Sequence, residues 1–121
     1  MLDGRIDEFG RALLFVSIRA TQIAAGQSLE VWVDTGFTGD LVVSKELVLQ
    51  LGLPQSAMVA AALADGSKSI LETFSCVVDW FGESREFEVI ASEGRIPLIG
   101  VGLLLGHRLF VDYDQLTLTI D

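Results

Sequence analysis

Hydrophobic residues along this chain fall in short runs separated by glycine, aspartate, serine and proline, a spacing that predicts strands rather than long helices. Arg11 to Arg19 (Arg-Ala-Leu-Leu-Phe-Val-Ser-Ile-Arg) predicts a first strand. Gly26-Gln27 then turns the chain into Leu29-Glu30-Val31-Trp32-Val33, whose apolar and β-branched content predicts a second. Leu41-Val42-Val43 predicts a third. After it, Ser44 can cap a short helix over Lys45 to Leu51, which Gly52 and Pro54 terminate.

Two hairpins follow in the pattern. Met58 to Ala64 and Ser67 to Thr73 flank Asp65-Gly66, a dipeptide that supplies the positive φ angles of a tight turn. Phe74 to Phe81 and Arg85 to Ala91 flank Gly82-Glu83. In the latter arm Phe87, Val89 and Ala91 share one face, with Glu86, Glu88 and Ile90 on the other. Pro97-Leu98-Ile99-Gly100 is an apolar run ending in glycine. Val101 to Leu105 can add one or two helical turns before Gly106, and Leu109 to Tyr113 and Leu116 to Ile120 close with strands. The expected fold is all-β, a sandwich or closed barrel with one or two short helices. At 121 residues the expectation is one domain, 1–121.

Composition sharpens this picture. Half of the residues are hydrophobic, and the mean hydropathy is +0.51, yet no apolar run is long enough to cross a bilayer, so no membrane partner is expected. Apolar excess in a small domain points to a sheet buried on both faces or to a surface covered by another subunit. The opening residues Met1 to Glu8 carry three acids and no apolar core of a signal peptide, which gives a cytoplasmic location as the expectation. Cys76, the single cysteine, lies in a strand-like run and reads as a buried structural thiol. With 8 basic and 17 acidic residues the net charge is −9, and the bases are scattered, which argues against a nucleic-acid partner.

Candidate chemistry concentrates at Val31-Trp32-Val33-Asp34-Thr35-Gly36, where an ionisable residue ends a hydrophobic strand. One reading is an Asx-type turn in which Asp34 accepts backbone N–H groups and Gly36 supplies the turn conformation. The other is a functional carboxylate. Context favours the second: Phe37-Thr38-Gly39-Asp40 and a strand follow, then a glycine-tipped hairpin, then Leu98-Ile99-Gly100.

In that order these pieces resemble the retropepsin-like aspartic proteases, and more narrowly the small bacterial and archaeal members whose signature reads Val-Asp-Thr-Gly-Phe-Thr-Gly. The resemblance spans nearly the whole chain. It implies an acid-protease half in which Asp34 is catalytic, Thr35 bonds across a dimer axis, and Gly36 lets two such loops approach. It also implies that Leu98, Ile99 and Gly100 thread beside the aspartate loop as structural support, with a short helix after them. The hairpin tip Ala64, Asp65, Gly66 and Ser67 resembles the flap that closes over substrate.

The implied activity is aspartic endopeptidase, with a peptide or protein substrate and no cofactor or metal. Two carboxylates a few ångströms apart share one proton, so one serves as acid and one as base. The chain holds a single Asp-Thr-Gly, so the implied partner is a second copy, a homodimer.

Trp32, two residues before Asp34, shares its face by strand alternation; it is read either as a wall of the substrate pocket or as core or interface filler. Phe37 replaces the small residue that commonly follows the glycine, a departure read either as narrowing the cleft floor or as altering the carboxylate's polarity and hence its working pH. Thr38 and Val101 stand where retroviral enzymes carry a supporting Asp and Arg, so another brace is expected. The alternative function is a retropepsin-like dimerisation or peptide-binding module with little or no proteolysis. Trp80 is assigned to packing. The isolated His107 is read as a surface or hydrogen-bonded residue, and Glu83, Glu86 and Glu88 as a solvated face.

Overall fold

The structure, a computed structural model, describes residues 1–62, 64–94 and 96–121. Its strands are β1 (Leu2–Ile6), β2 (Ala12–Arg19), β3 (Gln27–Val33), β4 (Leu41–Ser44), β5 (Gln55–Ala62), β6 (Lys68–Trp80), β7 (Glu83–Ser92), β8 (Leu98–Ile99), β9 (Leu109–Asp112) and β10 (Thr117–Ile120). Two short helices interrupt them, α1 (Lys45–Leu51) and α2 (Val101–Leu104). Among the described residues no helix is long and apolar enough to cross a membrane.

The strands run in the order β5-β6-β7-β4-β8-β3-β2-β1-β10-β9. An additional antiparallel pairing, Ile18 with Val78 and Arg19 with Val77, joins β2 to β6 and closes the six strands from β6 through β2 into a ring. Alternation sends Val31 and Val33 of β3, Leu41 and Val43 of β4, and Phe87 and Val89 of β7 into one core. Ile18, Val78, Ile99, Leu103, Leu118 and Ile120 join them there.

Helix α1 begins and ends as its residues require. Ser44 Oγ accepts the Leu47 N–H at 3.2 Å, and Gly52 ends the helix in the left-handed conformation at φ 64°. Leu47 and Val48 face the core.

Four features differ from the sequence expectation. Leu2–Ile6 forms a strand where none is expected, antiparallel to both β10 and β2. The segments Ser67 to Thr73 and Phe74 to Phe81 are one strand, because β6 exchanges partners without breaking: its first half pairs with β5 and its second with β7. The second hairpin turns at Phe81-Gly82, with φ of 53° and 78°, and Trp80 pairs directly with Glu83.

The first hairpin is broader than an Asp-Gly dipeptide turn. Ala62 pairs with Lys68 rather than a residue beside Asp65-Gly66, and between them Gly66 takes φ 87°. Leu63, included in the expected strand, lies outside the described residues.

Candidate active site

Strand β8 is the organising element. It lies between β3, to which it is parallel (Trp32 with Leu98, Val33 with Ile99), and β4, to which it is antiparallel (Leu41 with Ile99, Val42 with Leu98). Residues 34–40 therefore leave β3 and return as β4 across the end of β8. Neither β3 nor β4 can shift without breaking pairs to the strand between them.

The backbone of this loop is bonded along its length to the segment after β8. Asp34 N–H donates to the Ile99 carbonyl at 2.9 Å, and Trp32 N–H to the Pro97 carbonyl at 2.8 Å. In the other direction Val101 N–H donates to Phe37 O at 2.8 Å, Gly102 N–H to Gly39 O at 3.0 Å, and Gly100 N–H to Asp40 O at 2.9 Å. Leu98, Ile99 and Gly100 thus lie against Asp34 through main-chain bonds.

Asp34 is half-buried, while Thr35 and Gly36 are exposed. Asp34 Oδ1 accepts the Gly36 N–H at 2.9 Å, and the Asp34 carbonyl accepts the Phe37 N–H at 3.2 Å. The Asx turn is therefore present, and it fixes the carboxylate. Among the described residues no donor reaches Oδ2, which leaves that oxygen available to a water or to a second carboxyl group.

Phe37 packs its ring on bare backbone. A Cβ at Gly39 would lie 2.5 Å from Phe37 Cζ, and one at Gly100 would lie 2.5 Å from Phe37 Cδ2. Trp32 points to the side of β3 opposite Val31 and Val33 and is 37% exposed. Its neighbours are Leu13 on β2 and Leu98 on β8. The Arg11 guanidinium stands 5.9 Å from the Trp32 ring centroid and 5.1 Å from that of Phe9. Arg11 also bonds Asp7 Oδ2 at 2.7 Å. Burial pushes the Asp7 carboxyl up, but the Arg11 N–H, the Arg11 guanidinium and the Phe9 N–H outweigh it and hold the pKa below the usual carboxylate value.

Ala64, Asp65, Gly66 and Ser67 form the exposed hairpin tip and join the rest of the molecule through β6. Asp65 Oδ1 accepts from Ser67 Oγ at 2.6 Å and from Ser67 N–H at 2.9 Å, bonds that lower the Asp65 pKa. Among the described residues no side-chain hydrogen bond joins this tip to the Asp34 loop. A polar groove of about 460 Å³ at Ser44, Lys45, Glu46, Ser92, Glu93 and Gly94 also lies apart from that loop, and its Lys45 ammonium is already bonded to Glu93 at 2.8 Å.

Two residues beside the site carry no role in the sequence reading. Arg11 opens a strand there, yet its side chain covers the Trp32 ring. Asp40 closes the loop, and its Oδ2 accepts the Glu88 N–H from β7 at 3.0 Å. A signal for Asp40 does exist in the sequence: an acid directly before the buried Leu41 needs a donor.

No protein-family model matches the sequence, and no curated protein does. Solved structures match the fold. A retropepsin-like aspartic protease from Rickettsia conorii superposes with a TM-score of 0.62 at 17% identity, covering 98% of this chain and 88% of that one. The EIAV protease, complexed with an inhibitor, gives 0.54 at 16% identity, covering 78% and 85%. The retroviral protease-like domain of Ddi1 from Leishmania major gives 0.50 at 21% identity, covering 90% and 88%. The fold is the retropepsin-like one, mostly β with few short helices.

Proposed function

We propose that this chain is one subunit of a homodimeric aspartic endopeptidase, in which Asp34 acts together with Asp34 of a second copy. The observation that carries the reading is the Asp34 loop itself. In a retropepsin-like fold, the one Asp-Thr-Gly of the chain is pinned to β8, with one carboxylate oxygen free of donors among the described residues.

In such a pair the two carboxylates share one proton. The ionised member takes a proton from a bound water as the water oxygen attacks the scissile carbonyl carbon. The protonated member gives its proton to the carbonyl oxygen, and the tetrahedral diol collapses as the carboxyl that took the water's proton passes it to the leaving nitrogen while the other recovers a proton from the diol. Thr35 bonds across the axis and Gly36 admits close approach. Trp32 forms a pocket wall, Phe37 sets the depth of the cleft floor, and the Ala64–Ser67 tip closes over an extended peptide and excludes water.

The test is a peptide-library digest of wild type beside Asp34→Asn, which keeps the side-chain shape and removes the charge. Cleavage is expected in the wild type and should fall by about three orders of magnitude or more in the variant, the scale on which a reacting group matters. The oligomeric state should be unchanged. Cleavage that survives the substitution in a clean preparation refutes the proposal. A dimer that binds extended peptides and cleaves none between pH 3 and 8 would establish the binding-module alternative instead.

A further inference from the structure

Asp40 ends the loop that Asp34 begins, and it is held from three sides. Its carbonyl accepts the Gly100 N–H at 2.9 Å, and its Oδ2 accepts the Glu88 N–H of β7 at 3.0 Å. The third tie is steric: a Cβ at Gly102 would fall on Asp40 Oδ1, and Gly39 O would be 3.1 Å away. The carboxylate occupies the volume that the missing side chain of Gly102 leaves.

Gly102 takes no positive φ, so glycine there answers a need for room rather than for an unusual backbone. Two residues earlier, Gly100 makes the corresponding room for the Phe37 ring. Two side chains of the aspartate loop thus seat on two glycines of the α2 segment.

We propose that Asp40 is a positioning residue for the reaction at Asp34, fixing the far end of the loop by seating its carboxylate between the Glu88 N–H and the bare backbone of Gly102. This rests on the peptidase reading given above. Its physical basis is leverage. Main-chain bonds at Phe37 O, Gly39 O and Asp40 O tie the loop to the segment after β8, and the Asp40 carboxylate adds the tie to β7; without it those bonds loosen, and the Gly36 N–H, and with it Asp34 Oδ1, shifts. A displacement of about 1 Å at a reacting group costs roughly a hundredfold in rate.

The experiment measures amide hydrogen exchange and peptide hydrolysis in Asp40→Ala, Asp40→Asn, Gly102→Ala and the double variant Asp40→Ala/Gly102→Ala. Asp40→Ala should speed exchange at the Glu88 and Gly100 amides by about tenfold or more, the scale of a lost hydrogen bond to a charged group. It should lower kcat by about ten- to hundredfold with KM changed by less than about threefold, because no substrate contact is removed. Asp40→Asn keeps an oxygen for the Glu88 N–H and should stay within about threefold of wild type. Gly102→Ala should reproduce the Asp40→Ala exchange pattern by displacing the carboxylate.

The double variant should be no worse than Asp40→Ala, since the new methyl enters the vacated space. Wild-type protection of Glu88 in both single variants, or effects that multiply in the double, would overturn the proposal. So would an Asn variant as impaired as the Ala variant. A wild type that cleaves no peptide would defeat the peptidase reading alone, and the exchange pattern would still decide whether Asp40 holds the loop.

Discussion

Cys76 and Asp40 illustrate how single residues are set by their surroundings. Cys76 lies fully inside the barrel on β6, opposite Phe87 of β7. Burial, aided by the nearby charge of Asp40, pushes its thiol up to about 12. Only the thiolate reacts, so a thiol-directed reagent at pH 8 should label the folded protein negligibly and the urea-unfolded protein stoichiometrically. Mass spectrometry decides it, and rapid labelling under native conditions would contradict the burial. Trp80, by contrast, is almost fully buried with no hydrogen-bond partner for its Nε1 among the described residues. Its ring meets Phe81 edge-on at 5.1 Å and His107 at 5.9 Å, so packing alone holds it.

At the scale of elements, β1 is the one that local sequence hides. Leu2-Asp3-Gly4-Arg5-Ile6 contains Asp and Gly, both depleted in strands, and becomes a strand only because β10 and β2 pair with it on either side. Gly4 is a close approach: a Cβ there would meet the Leu13 carbonyl oxygen and lie 2.8 Å from Leu118 Cδ2. Replacing Gly4 by Val should therefore cost about 1–3 kcal/mol through overpacking. Thermal unfolding should show a fall in Tm of roughly 5 °C or more. An unchanged Tm would mean that β1 docks more loosely than its register implies.

The other elements differ in how far residues alone disclose them. β3, β4 and α1 are readable because their signals are local: alternation in Val31-Trp32-Val33 and the Ser44 and Gly52 caps. The unbroken β6 is not, since its length follows from serving β5 and then β7. Thr73, at that exchange of partners, is buried and satisfied by Ser56 Oγ at 2.9 Å and the Ala57 carbonyl at 3.2 Å. The site divides the same way. An acid ending an apolar strand before Thr-Gly marks Asp34 in sequence, whereas the brace at Asp40 depends on Glu88 and Gly102, which only the folded chain brings near.

At the scale of the whole molecule, one motif per chain has a consequence that mixing can measure. If each active dimer needs Asp34 from both subunits, then Asp34→Asn is an inhibitor as well as an inactive protein. With random pairing and a fixed amount of wild type, the share of wild-type subunits that meet another wild-type subunit equals the wild-type fraction of the mixture. Activity per wild-type subunit should therefore fall in direct proportion to that fraction as the variant is added and allowed to exchange. A monomeric enzyme would hold its activity constant under the same titration. A dimer whose two sites work independently would do the same, so a flat response rejects the shared carboxylate pair even where light scattering reports a dimer.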